Sequence, residues 1–363
     1  MPNEALLDGV RVLDLSQYVP GPFATRQLAD LGAEVIKIEP PGGDPMRQFM
    51  HRGDEPVSAI YRHLNRGKTI ANLDLKSATG KSRFEALLVD ADILLESFRP
   101  GVLARLGFDR DRLEHLNPRL IHCALSGYGQ QGPYAKRAGH DINYCALSSQ
   151  GIVSGTSERP VIGFPPIADH AAALQAAIAM LAALYARDRQ NRGSYIDVSM
   201  TESILAWQYL PILAGSEARA SGMLDGGAAC YNLYRCADGK FLSLGAIEPA
   251  FWKNFCRAVE RPDWIERQYE DMPQQALIAE LAELFAGESR DFWQARLDPV
   301  DCCFEVLFDT PSLAQQPQLA ARRAVTAAGP TYPAWVDGQP VEVSEDFESA
   351  DELCWRSKGN VND

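Results

Sequence analysis

A chain of 363 residues has room for about two domains with a substantial core. With 46% hydrophobic and 23% charged residues, and 28 glycines and 23 prolines, collagen-like and low-complexity readings are excluded. The net charge of −13 lacks the basic footprint of a nucleic-acid binder, so no nucleic-acid partner is expected. A local basic pocket for an anionic ligand stays compatible with that charge.

Met1–Ala5 has no basic stretch leading into a long apolar run, so no secretory signal is expected there. Val10–Leu15 reads as a short strand, and Pro20-Gly21-Pro22 as a turn. Phe23–Leu31 follows as a helix stopped by Gly32, and Glu34–Glu39 as a strand cut by Pro40-Pro41-Gly42-Gly43. Strand, helix and strand at this spacing make a βαβ unit with a parallel sheet. The pattern recurs with a strand at Thr69–Leu75, a helix at Thr79–Val89, and strands at Ala91–Glu96 and Leu120–Leu125. The first half is therefore α/β, open and doubly wound.

An alanine-rich helix is expected from Asp169, as N-cap, to Arg187, with a strand at Ser194–Val198 after the break at 188–193. The uncharged run Ala171–Ala186 falls short of the ~20 residues of a membrane span and contains Gln175. It reads as a buried helix, and no membrane partner is expected. Small residues from about 216 to 227 suggest a linker. A hairpin then runs through Leu233, the turn Asp238-Gly239 and Phe241–Leu244. Helices follow at Gln274–Phe285 and Ser289–Arg296, and the tail beyond Pro330 looks loosely ordered. The eight cysteines form no C-x-x-C pair, so reduced thiols, a cytoplasmic location and no metal site are expected.

Gly127-Tyr128-Gly129-Gln130-Gln131-Gly132 follows a strand, as a dinucleotide fingerprint would. Pro133 and Tyr134 come next, and no acid stands about 20 residues on, so a glycine-rich turn is the plainer reading. Three ionisable residues stand in unusual contexts: His140 before an apolar segment, Asp169 at the alanine-rich helix, and Glu248 after the hairpin. Each also has an ordinary structural reading: surface histidine, helix cap and helix start.

Several motifs taken together resemble family III CoA-transferases, the CaiB/BaiF group that also holds α-methylacyl-CoA racemase. They are Leu13-Asp14-Leu15, Pro20-Gly21-Pro22, Leu31–Pro40, Gly43-Asp44, Asn65–Lys68, Asp74-Leu75-Lys76, Glu96–Val102, Ser126–Gly129, Ala168-Asp169 and Asp197–Met200. The resemblance implies a large Rossmann-like open parallel-sheet domain at 1–205, completed by 330–363. It further implies a smaller α+β domain at 227–310, linkers at 206–226 and 311–329, and an interlocked homodimer.

Two chemistries share that scaffold. In the racemase branch the residues matching His140 and Asp169 face each other across the α-carbon of a 2-methylacyl-CoA, and Glu248 supports the histidine. In the transferase branch Asp169 attacks the thioester and carries CoA as an aspartyl thioester. A non-catalytic acyl-CoA-binding role is the third reading. The wording around His140 and Glu248 is nearest the racemases. Two departures stand against it: Pro165 replaces an asparagine four residues before the aspartate, and His170-Ala171-Ala172-Ala173 replaces a glycine-rich stretch. The resemblance implies a coenzyme A thioester as substrate and no permanently bound cofactor. It offers Arg99, Lys37, Arg47 and Lys68 as contacts for the coenzyme's phosphates.

Overall fold

The structure is a computed structural model, and it describes residues 5–149, 155, 160–215, 220–350 and 353–356. The chain divides into two compact units, one of residues 1–148, 164–207 and 314–363, the other of residues 149–163 and 208–313.

The first unit holds a seven-stranded sheet. Its strands are β1 (Arg11–Asp14), β2 (Glu34–Glu39), β3 (Lys68–Asn72), β4 (Ile93–Glu96), β5 (Ile121–Ser126), β6 (Ser194–Ser199) and, from the chain's far end, Glu348–Ser349. Every pairing is parallel, in the order Glu348–Ser349, β3, β2, β1, β4, β5, β6. The direction of winding reverses between β1 and β4. In such sheets that reversal opens a crevice at the carboxyl ends of the strands.

Helices cover both faces. Val12, Val35, Ile93, Leu95, Ile121, Cys123 and Leu125 form one face of the core. They pack with α1 (Pro20–Asp30) and the long helix Ile167–Gln190, whose Ala168, Ala172, Ala173, Ala176 and Met180 are buried there. On the opposite face Leu13, Ile36, Ile38 and Leu94 meet Phe84, Leu87 and Leu88 of α3 (Ala78–Val89) and Leu113 of α5 (Arg110–Leu116). Two shorter helices, α2 (Ala59–Asn65) and α4 (Val102–Arg105), lie between them in sequence.

The second unit is built on a three-stranded antiparallel sheet of Tyr231–Arg235, Phe241–Gly245 and Phe304–Val306. Helices Pro249–Ala258, Gln275–Ala286 and Arg290–Leu297 enclose its core, which centres on Trp252, Phe255, Trp264 and Phe285.

Four local expectations are corrected. Pro20-Gly21-Pro22 is the first turn of α1, where a missing N–H leaves nothing unpaired. Asp169 is the third residue of its helix, not the cap; Pro166 stands at the cap position, and the helix runs on to Gln190 before Asn191 turns left-handed at φ 49°. The expected linker contains the helix Tyr209–Ala214. The tail is tied down: Glu348–Ser349 joins the large sheet, and the Trp355 indole N–H donates to Leu87 O at 3.1 Å.

Ile167–Gln190 is long and apolar enough to cross a membrane by length and composition, and its buried alanines lie in the core. Among the described residues no group of three or more His, Cys, Asp or Glu is arranged to hold a metal ion.

Candidate functional site

The loops leaving the carboxyl ends of β4 and β5 carry two of the candidate residues, Arg99 and His140. After β4, Ser97–Gly101 turns the chain and leaves Arg99 exposed. Beyond β5 the glycine loop leads not to a helix N-terminus at Gly132 but to α6 (Asp141–Leu147), with His140 at its cap position. The long helix Ile167–Gln190, α7 from here on, starts beside it.

The spacing of the loop's glycines has a local cause. A Cβ on Gly127 would stand 2.5 Å from the Tyr144 ring, and one on Gly139 would stand 2.8 Å from both that ring and the Tyr128 hydroxyl. The Tyr144 hydroxyl donates to Gly139 O at 2.6 Å, and Tyr128 meets the same ring edge-on at 5.1 Å. The motif therefore seats an aromatic ring, and no phosphate-cradling helix follows it.

The backbone at His140 is fixed by its N–H donating to Asn143 Oδ1 at 3.0 Å, and its side chain is exposed. The neighbouring Asp141 accepts from the Asp169 N–H at 3.1 Å, so the starts of α6 and α7 are joined. Burial, and then the Asp141 carboxylate beside it, push the Asp169 carboxyl up to about 7. Tyr144 lies in the same electrostatic neighbourhood. Burial raises its phenol to about 12, Tyr128, Asp169 and Asp141 add to the rise, and Arg99 opposes it. Arg99, His140 and Asp169 are thus gathered on adjoining loop and helix starts, with Asp141 and Tyr144 between them.

Glu248 is exposed at the start of Pro249–Ala258 in the second unit. Lys37 and Lys68 are wholly buried. Lys68 Nζ bonds Asp14 Oδ2 and Asn65 Oδ1, both at 3.1 Å, and Lys37 Nζ reaches Asp44 Oδ2 at 3.1 Å and Ser16 O at 2.5 Å. Burial alone would raise the Asp14 carboxyl. Lys68 and Lys37, with the Ser16 and Thr25 hydroxyls, hold it well below the usual carboxylate range. Both ammonium groups are committed to this internal network, so neither is placed to meet a phosphate from solvent. Arg47 is about a quarter exposed, pairs with Glu39 Oε2 at 2.7 Å and lies over the Tyr61 ring.

Residue-by-residue reading of the sequence passed over Asp141 and Tyr144. The available signal was an acid directly after a helix-starting histidine, with a tyrosine three residues further on. It also passed over Glu96 at the end of β4. Burial raises the Glu96 carboxyl to about 7 against the lowering effect of the Phe98 N–H, and Asp197 adds to the rise.

Residues 7–348 match the family model described as CoA-transferase family III. The chain is 36% identical over 309 residues to the α-methylacyl-CoA racemase of Homo sapiens, covering 82% of this chain and 76% of that one. It is 31% identical over 351 residues to the acetyl-CoA:oxalate CoA-transferase of Acetobacter aceti, covering 93% and 89%. A crystal structure of a CaiB/BaiF family protein from Brucella suis superposes with a TM-score of 0.82 at 25% identity, covering 95% of this chain and 96% of that one.

Proposed function

The chain belongs to CoA-transferase family III, and from that premise we propose that it is an isomerase that inverts the α-carbon of a 2-methylacyl-CoA by two-base transfer, one group removing the α-proton and a second delivering a proton to the opposite face. It is an enzyme of a family whose members include a racemase and CoA-transferases. The observation that carries the racemase reading is the Asp169 carboxyl, raised to about 7 by burial and by Asp141. A carboxyl raised toward neutral pH is suited to act as a general acid or base.

In this reading the acyl-CoA thioester places its α-carbon between His140 and Asp169. One removes the α-proton; the other returns a proton to the opposite face. Negative charge passes to the thioester oxygen in the enolate, and hydrogen-bond donors around that oxygen lower the barrier. Arg99, exposed after β4, meets a phosphate of the coenzyme. A homodimer completes the assembly. Its support is the apolar surface left open on the outer side of α7, at Leu174, Ile178 and Tyr185, and at Trp207 beyond it.

Pro165 favours the second reading, CoA transfer through Asp169. The side-chain amide that the racemase branch places there is missing, and proline supplies no donor. One experiment separates the two. The racemase incorporates deuterium from D₂O at the α-position of a 2-methylacyl-CoA with no second acid present, and His140→Ala slows that exchange strongly. CoA appearing on an added carboxylic acid, with the α-position still protiated and a hydroxylamine-sensitive adduct on Asp169, overturns the racemase reading in favour of the transferase.

A further inference from the structure

We propose that Asp141 is a positioning residue for Asp169: its carboxylate spans the starts of α6 and α7 and sets both the place and the charge of the reacting carboxyl. The inference rests on the reading of Asp169 given above, and on geometry of its own.

The first turn of a helix carries N–H groups with no partner inside the helix. A cap side chain usually takes one of them, but Pro166 occupies the cap position of α7, and proline has no side-chain acceptor. Asp141 supplies the acceptor from another helix: its Oδ1 takes the Asp169 N–H at 3.1 Å. Its Oδ2 accepts from the Cys145 thiol, one turn along α6, at 3.6 Å. With both oxygens engaged, the carboxylate is held in one orientation between two helices. A change at Asp141 therefore reaches Asp169 without touching substrate.

The same placement sets two carboxyl groups side by side. Like charges that close resist ionising together, so the second group keeps its proton to higher pH. The other groups around Asp169 do not cancel that effect. From α6 come Tyr144 and Cys145, both neutral at pH 7, their own ionisation pushed higher by burial first. Arg99 acts on Tyr144 from the loop after β4. On α7 itself His170 turns its Nδ1 to Pro166 O at 2.6 Å. From α1 the uncharged ring of Phe23 packs against His170. Among the described residues, His140 at the cap of α6 and Tyr128, edge-on to Tyr144, are further ionisable side chains near this junction.

The test compares Asp141→Asn with Asp141→Ala, using a 2-methylacyl-CoA in whichever of the two assays above the wild type runs. Asp141→Asn keeps an oxygen for the Asp169 N–H and removes the charge. It is expected to keep most of kcat and to move the acid limb of kcat/KM down by on the order of one pH unit. Asp141→Ala loses the oxygen as well, and kcat is expected to fall at least about tenfold with KM little changed. An Asp141→Asn profile that superimposes on wild type overturns the inference, because a merely structural role leaves the ionisation unmoved. Asp169→Ala serves as the control: if it stays active, the functional reading fails; if it is inactive while the Asp141→Asn profile is unmoved, only the inference fails.

Discussion

Asp169 meets two opposing demands in the proposed reaction: it is drawn out of water, and it changes charge during turnover. Asp169→Ala is expected to lower turnover by roughly 10²- to 10⁴-fold while the protein stays folded, as judged by kinetics beside circular dichroism. The raised carboxyl also predicts a pH dependence of stability. Its value in the folded state, about 7, lies above the 3.8 of an ordinary aspartate, so between those limits the folded protein binds the extra proton. That contribution is complete below pH 4 and is lost as pH rises through 7. Asp169→Asn removes the loss. It is expected to be more stable than wild type at pH 8 by on the order of 1–2 kcal/mol, the difference shrinking toward pH 5 in paired melting curves. Equal differences at the two pH values would contradict the raised carboxyl. At this scale the sequence showed which residue to suspect but not its state. Asp169 reads as a helix cap from its neighbours alone, and its proton affinity depends on Asp141, 28 positions away in the chain.

At the scale of elements, the loop between β5 and α6 and the ends of β1 to β3 make separate predictions. Adding a methyl group at Gly127 drives a Cβ into the Tyr144 ring, whose hydroxyl ties down the peptide before His140. Gly127→Ala is expected to cost about 1–3 kcal/mol by overpacking and to lower turnover through the displaced start of α6. Denaturant melts and kinetics together check it. Lys68→Met leaves the buried Asp14 carboxylate without its ammonium partner, and a loss of about 3–5 kcal/mol is expected in denaturant unfolding. A loss confined to CoA affinity, with stability intact, would return Lys68 to the phosphate-binding set. Apolar runs bounded by Gly32 and by Pro40–Gly43 made the β1–α1–β2 unit legible. The roles of the two lysines were not, because a basic residue near a phosphate site and one inside an ion-pair network look alike until the strand ends converge. Likewise Gly127–Gly132 has the fingerprint's spacing for a different reason, the seating of a ring that follows far downstream.

For the molecule as a whole, the α/β class and the parallel sheet followed from alternating strand and helix patterns, but the strand order did not. Nothing local in Glu348–Ser349 says that these residues pair with Thr69 and Ile70. Proline and glycine in the segment before them pointed instead to loose structure. The open apolar side chains on α7, Tyr185 being 73% exposed, predict that the protein is a dimer at micromolar concentration, measured by light scattering in line with size exclusion. A monomer that stays soluble at that concentration would leave this surface to another partner. The edge strand Glu348–Ser349 has a consequence for synthesis. Its partner Thr69 leaves the ribosome 279 residues earlier, which at ~5–20 residues per second is a delay of roughly 14–56 s. Throughout that interval β3 is an unpaired sheet edge on a nascent chain, open to pairing with another nascent chain on the same messenger. Ribosome-bound chains stalled before residue 340 are therefore expected to bind chaperones or to aggregate more than chains released after residue 356.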